Sequence, residues 1–585
     1  MANWRLGIEP SSTQSPASIR QSLWFWGASL LLVVVTAVPY LLGYLTTPAD
    51  TTYTHLLMNP EDAQSYFAKM QQGYAGSWVY TIPFTAEQHE ASFVGGFYLF
   101  LGHLARWLGI GLTAVWHLSR LFFATLLFLT LPPFIHHFLP DRRSQKSAFL
   151  LAAFSSGFGW LLFLLQQPYW LGSFPIEFKQ PEAHLFFTAM TFPHMAWATT
   201  LLLWYVGNVA DLMQTSSWKV LEGSVQQQSA SRKIRYGLVG GLTAVLLGIT
   251  APFLVYLLIG ITILTGIWLV FWQKRPFLPT AIYLASPLAC VAPLFLYYAY
   301  VLQTNAAFRL WDEQALTPTA PWPHYVVAYG LFIGLALTVR LRQSSPESSQ
   351  ATDAVSTHNS KSIFLLWIWL LTAVFLLFMP LNQPRRFVQG VDVPLAILVT
   401  LSLKAAVWPR IQEASWFQRL IANPRYTQAG MRRLLFLGFL GFVGLSTFYL
   451  WASVAVTAAF QQPDPLFRPS DEQTAVLWLR EAAPPNALVL GDYQTGSFVA
   501  GQGGQRVVLG HWAETGNFVK TETAVSQFFQ ANTDDTWRQD YVQRWQIDYV
   551  WHGPREQALG EFEPGKVGYL TAVYQNETIT IYQTE

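Results

Sequence analysis

Long apolar runs separated by short polar tracts fill residues 21–459. The first, Leu23 to Leu45, can cross a membrane, since about 20 apolar residues span the hydrocarbon. Further spans are predicted at 112–138, 147–166, 189–210, 237–251, 253–272, 278–301, 324–340, 362–381, 387–403 and 434–457. The pattern is therefore mainly α: a polytopic membrane bundle of about 11 transmembrane helices. Residues 90–108 are apolar too, but they carry His103 and Arg106, which are costly at a bilayer centre. They read as a helix lying on the membrane surface or half inserted.

Positive charge orients the bundle. Arg5 and Arg20 precede the first run, and no Lys or Arg follows it until Lys69. This predicts a cytoplasmic tail (1–20) and a first outer loop (46–111). With 90–108 not crossing, DRRSQK (141–146), SRKIR (231–235), QKR (273–275) and the polar stretches 340–361 and 404–433 all fall in the cytoplasm. The Ser- and Gln-rich part, 341–360, reads as a disordered linker. The outer face then receives 46–111, 167–188, 302–323, a turn at 381–386, and everything after about residue 458.

The pattern changes after residue 460. DEQTAVLWLREA (471–482) has helical periodicity and an acidic start. ALVLGD, QRVVLGH, IDYVWHG, YLTAVYQ and TITIYQ are short β-prone runs bounded by turn residues. Such alternation predicts a small layered α/β domain over 460–585, outside the cytoplasm. GQGGQR (501–506) does not match a nucleotide fingerprint and reads as a turn.

Composition agrees with lipid as the main solvent: 52% of residues are hydrophobic and 12% charged, about half the charge density of soluble domains. The mean hydropathy, +0.28, leaves room for a sizeable water-exposed part. A net charge of +2 gives no argument for a nucleic-acid partner. The single cysteine, Cys290, permits no intrachain disulfide. The polar start and long first run do not fit a cleavable signal peptide.

Chemistry-bearing residues gather on the outer face. NPEDAQSYFAKM (59–70) places Glu61, Asp62 and Lys69 beyond the first span. Adjacent carboxylates could hold Mg²⁺ or Mn²⁺, with Glu182 as a third ligand. One of them could equally act as general base on a hydroxyl. The bland reading is a helix start, because Asn-Pro followed by acids suits a helix N-terminus. Arg385 and Arg386 stand at a span mouth on the face where the charge rule disfavours them; paired guanidiniums suit a phosphate. His184, His194, Asp312 and Glu313 could line a polar cavity, and the spacing of Glu182, His184 and His194 matches no zinc pattern.

The order and sidedness of these pieces resemble the GT-C superfamily of membrane glycosyltransferases, in particular bacterial relatives of protein mannosyltransferases and aminoarabinose transferases. The resemblance rests on NPEDAQSYFAKM (59–70), the surface helix followed by LTAVWHLSRLFFATLLF (112–128), PEAH (181–184) and PRRFVQGVDVPLAILVTLSL (384–403). It covers most of residues 20–460, and the tail resembles outer α/β domains of some members. The resemblance implies a hexosyltransferase-type enzyme with a polyprenyl-phosphate-sugar donor, an inverting mechanism, and a lipid, glycan or protein acceptor. It needs no nucleotide cofactor. Asp62 or Glu61 would take the first-loop acidic role and Glu182 that of a second outer acid. Arg385, Arg386 and Lys69 would contact the donor phosphate. The chain departs from the family in having Glu-Asp rather than a strict D-x-D, and Glu182 where Asp is usual. Two other readings stay open: a transporter or flippase with an outward polar cavity, and a non-catalytic binding or assembly protein. Convergence of Asp62, Glu182 and Arg385 in one cavity separates catalysis from the last of these.

Overall fold

The helices follow the apolar runs, but several are interrupted where the chain places serine, glycine or proline. The computed structural model describes residues 16–214, 224–343 and 353–585. The start of the predicted tail and the middle of the predicted linker (341–360) lie outside the described residues. Among the described residues, six helices are long and apolar enough to cross a membrane: Leu23–Leu45, Leu112–His136, Leu254–Phe271, Phe277–Thr304, Trp322–Val339 and Pro384–Glu413. The pair Gln428–Val443 and Leu445–Gln461, bent by 53°, makes a seventh if counted as one span. The chain is a multi-pass membrane protein with a mainly helical fold.

Among the described residues, fewer helices meet this length and hydropathy than the eleven spans expected. The run 147–166 breaks into helices Arg142–Phe154 and Gly159–Leu164, with Gly157 between them at φ 66°. The run 189–210 breaks before Pro193, whose ring cannot continue the preceding helix. The helix that follows, Pro193–Gln214, is deeply buried; Ala198, Leu201, Leu202, Tyr205, Val206 and Val209 are all sealed from solvent.

The chain opens with four helices: α1 (Pro16–Leu45), α2 (Pro60–Ala75), α3 (Gly96–Leu108) and α4 (Leu112–His136). α3 has 13 residues, about 20 Å at 1.5 Å per residue, short of the ~30 Å hydrocarbon. It buries Phe97, Tyr98, Leu99, Leu101 and Ala105 and exposes Phe100, Trp107 and Leu108. α2 and α3 pack backbone to backbone at two glycines. A Cβ on Gly73 would strike the Leu99 carbonyl, and one on Gly102 would strike that of Met70.

The C-terminal part is an α/β unit. A short strand in the first loop, β1 (Thr51–Tyr53), pairs antiparallel with β2 (Phe467–Pro469), and the Tyr53 and Phe467 rings stack at 4.8 Å. Beyond it, β3 (Leu488–Leu490), β4 (Arg506–Val507), β5 (Tyr549–His552), β6 (Leu570–Gln575) and β7 (Thr580–Thr584) form a sheet in the order β4-β3-β5-β7-β6. β3 runs parallel to β4 and β5, while β7 is antiparallel to β5 and β6. Parallel neighbours need crossover connections, and helices Tyr493–Phe498, Phe518–Phe528 and Asp535–Trp545 supply them. Both faces are covered. Ala475, Val476 and Leu479 of helix Ser470–Ala482 pack with Val489 and Ile581, and Val525, Phe528 and Val542 pack with Leu490 and Val550.

GQGGQR, expected as a turn, seats α2. Gln71 donates to the Gln502 carbonyl at 2.7 Å, and Gln502 donates to Gln64 Oε1 at 3.0 Å. A side chain at Gly501 would collide with Gln64, so the glycine sets how closely the two parts approach.

Candidate active site

α2 begins at Pro60, with Glu61 and Asp62 in its first turn. Asn59 takes the left-handed conformation (φ 45°) and makes no side-chain cap. The helix start is real, but the acidic side chains turn elsewhere. Glu61 is exposed and accepts a hydrogen bond from Tyr493 Oη at 2.9 Å. Asp62 is half-buried, and its Oδ1 lies 3.2 Å from His511 Nε2. Burial acts to raise the Asp62 carboxyl. The hydrogen bond and charge of His511, with the charges of Arg386 and Arg385, outweigh it and hold the group below the usual carboxylate range.

The two arginines are presented by a tight turn. Pro384 opens the 3₁₀ segment Pro384–Val388. Gly390 at φ 79° redirects the chain into helix Asp392–Ser402. Gln389 anchors the turn by donating to the Met195 carbonyl at 2.9 Å and to Thr199 at 3.0 Å. Arg385 Nε lies 3.2 Å from Glu182 Oε1, close enough for charge attraction but without hydrogen-bond alignment. Both Glu182 oxygens are buried with no hydrogen-bond partner among the described residues. Arg386 packs over the Phe253 ring at 5.1 Å. Asp62, Arg385, Arg386 and, through Arg385, Glu182 are thus one electrostatic cluster.

An aromatic wall completes it. Tyr66, one turn beyond Asp62, stacks on Tyr98 at 4.3 Å, and Tyr98 Oη lies 2.6 Å from His194 Nδ1. Burial, and then the nearby Asp62 carboxylate, push the Tyr66 phenol above its ordinary value.

Other predicted residues go elsewhere. Lys69 Nζ is buried 2.8 Å from Glu514 Oε1 and sits over the Tyr80 ring at 4.2 Å. It is committed to an internal ion pair. His184 faces Asp392 at 3.2 Å, and Asp392 also accepts from the Leu185 amide at 2.9 Å. Burial would lower the His184 imidazole, but Asp392, helped by Glu177, raises it. Behind it, burial lifts the Glu177 carboxyl to about 7. Asp312 accepts from Asn382 at 3.0 Å, and Glu313 is exposed; neither joins the cluster. Among the described residues no three or more His, Cys, Asp or Glu side chains come together as a metal-binding group. Glu61, Asp62 and Glu182 are therefore not gathered as the ligand set considered from the sequence.

Sequence reasoning passed over His511, Glu514 and Tyr493. Tyr493 follows the carboxyl end of β3 and His511 that of β4, both in the parallel part of the sheet. Ligand-facing groups gather beyond the carboxyl ends of such strands, and QRVVLGH carried that signal.

No protein-family model and no curated protein sequence matches the chain. Solved structures do resemble it. The apo oligosaccharyltransferase of Archaeoglobus fulgidus aligns with a TM-score of 0.50 at 12% identity, over 90% of this chain and 70% of that one. ArnT from Cupriavidus metallidurans bound to undecaprenyl phosphate gives 0.49 at 10% identity, over 95% and 98%. The mycobacterial arabinofuranosyltransferase AftD, in a mutant form, gives 0.46 at 13%, over 94% and 41%. The likeness is one of fold: a polytopic helical membrane bundle carrying a C-terminal α/β unit, as compared with the archaeal oligosaccharyltransferase structure.

Proposed function

We propose that the protein is a membrane glycosyltransferase that moves a sugar from a polyprenyl-phosphate donor to an acceptor hydroxyl on the extracytoplasmic face, with inversion. The observation that carries this reading is a half-buried carboxylate at the start of α2, Asp62, on which the charges of Arg385 and Arg386 act. The GT-C fold supports it. In this reading the first loop and residues 460–585 lie outside the cytoplasm and the N-terminus inside, as the basic loops suggest.

Arg385 and Arg386 hold the donor phosphate. Guanidiniums fork onto phosphate oxygens, and positive charge already in place stabilises the phosphate as it departs. The acceptor oxygen bonds to the anomeric carbon as the bond from that carbon to the phosphate oxygen breaks. The hydroxyl proton passes to Asp62 and then to solvent, and the lipid phosphate leaves as the anion. A carboxylate held below the usual range is a weak base. It takes the proton late, when the acceptor oxygen has become acidic through bond formation. Glu182 keeps Arg385 aimed at the site.

The test is transfer from a panel of radiolabelled undecaprenyl-phosphate sugars in proteoliposomes of native membrane lipids. Wild type is expected to transfer from at least one donor, and Asp62→Asn to lose transfer while remaining folded. Absence of transfer from every donor, or equal transfer by the variant, would overturn the reading.

A further inference from the structure

The segment His511–Thr515 of the C-terminal unit runs along one face of α2. His511 meets Asp62, and three residues on, Glu514 meets Ser65 and Lys69. Positions 62, 65 and 69 lie on one helical face. The segment is itself held from several sides. The Glu514 and Thr515 amides return to the His511 carbonyl at 2.9 and 2.8 Å, and the Gly510 amide donates to Thr515 Oγ1 at 3.0 Å. Gln314 of helix Ala306–Gln314 donates to the carbonyls of Ala513 (3.2 Å) and Thr515 (2.8 Å).

His511 is 5% exposed. Trp512 stacks beside its ring at 5.9 Å, and Phe84 of the first loop packs against it at the same distance. With Nε2 turned to the Asp62 carboxylate, that nitrogen is the donor. Nδ1 is buried and has no hydrogen-bond partner among the described residues. The ring is therefore fixed by packing on its faces and by a single polar contact at its tip.

We propose that His511 is a positioning residue of the transfer reaction, so that the C-terminal unit completes the active site; this rests on the glycosyl-transfer reading above. The imidazole occupies Oδ1 of Asp62, fixes the carboxylate rotamer and leaves Oδ2 to receive the acceptor proton. A free aspartate at the first turn of a helix has several rotamers and can fold back onto the helix amides. Holding it in one orientation is the contribution expected of a rigid supporting group, and a misplacement of about 1 Å is worth on the order of a hundredfold in rate. The structural context fits this role: the tip of the ring reaches the carboxylate, while its body is built into the C-terminal unit and the first loop.

The experiment compares wild type, Asp62→Asn, His511→Ala and His511→Gln in the proteoliposome assay, with kcat and KM for the undecaprenyl-phosphate sugar measured separately. Thermal melting of each protein is recorded alongside. His511→Ala is expected to lower kcat about ten- to a hundredfold with donor KM within about twofold. His511→Gln, whose amide can donate near the position of Nε2, is expected to recover much of that loss. If wild type transfers sugar and Asp62→Asn does not, but His511→Ala keeps full kcat, the positioning role is wrong and the glycosyl-transfer reading stands. Equal kcat losses in Ala and Gln variants that track their melting temperatures assign His511 to folding and likewise overturn the proposal. If wild type is inactive with every donor, both readings fall together.

Discussion

Asp62 and Lys69 lie two turns apart on one face of α2, and both are met by the same four-residue stretch of the C-terminal unit, yet they end in opposite states. Lys69 and Glu514 form a sealed pair, with side chains 5% and 2% exposed. Glu514 also accepts from Ser65 and from Tyr80 Oη. Burial would raise its carboxyl, but Lys69, then His511, hold it below the usual range. Asp62 keeps a third of its side chain exposed and, among the described residues, has His511 as its one hydrogen-bond partner. A buried pair whose capacity is filled has nothing left for a ligand. A half-exposed carboxylate with a spare oxygen and two arginines nearby does. The pair at Lys69 fixes how the C-terminal unit sits, and that seating brings His511 to Asp62.

The strongest way to break this contrast is Asp62→Asn, expected to reduce transfer by about 10²–10⁴-fold, the usual range for a lost acid–base group. Its melting temperature should change little, because the exposed side of Asp62 is not packed. A large fall in melting temperature would make Asp62 a structural residue like Glu514. Next comes the sealed pair. Glu514→Ala leaves the Lys69 ammonium buried with Ser65 but without its carboxylate, and breaking such a pair costs about 3–5 kcal/mol. The double variant Lys69→Met with Glu514→Leu is expected to recover most of that stability. A single variant that melts like wild type would show that the pair does not hold the two parts together.

A third prediction concerns Glu177, a buried carboxyl whose desolvation outweighs the opposing charge of His184. Its folded value of about 7 stands above the unfolded value of about 4.3. A raised carboxyl contributes fully at low pH and loses that contribution as pH rises through the interval between the two values. The loss is on the order of 3 kcal/mol by pH 7–8. Glu177→Gln should therefore raise the melting temperature above pH 7 and leave it nearly unchanged at pH 4. An equal effect at both ends would place its charge elsewhere. The smallest expected effect is that of Glu61→Gln. Glu61 is exposed, and its contact is the Tyr493 hydroxyl, so transfer should change less than about threefold. A loss matching that of Asp62→Asn would move the reacting carboxylate one residue back.

How legible these features were depended on whether their signal was local. Asp62, Arg385 and Arg386 stand out because they are charged residues beside apolar runs, and that contrast needs no knowledge of the fold. Lys69 stood out for the same reason, but its partner is 445 residues away, so its occupation could not be read from the chain. His511 lies 449 residues from Asp62 and has an ordinary local setting, one histidine after a short strand. Glu182 was recognised as an outer-loop acid, but only the turn Pro384–Val388 determines that it faces Arg385. The missed breaks in the spans have a related cause. Hydropathy sums over a window, and a Gly157 or a Pro193 barely lowers the sum while it ends the helix.

The sequence alone determined a helical membrane protein with an α/β unit at its C-terminal end. Its apolar runs, turn residues and charge distribution are local properties, and each acts over a few residues. Only the tertiary structure decided which charges are sealed and which remain available. That outcome depends on desolvation and on partners brought from distant parts of the chain. Burial by the C-terminal unit turned Lys69 into a structural ion. The same unit, two turns away, left Asp62 against His511 with a third of its side chain exposed.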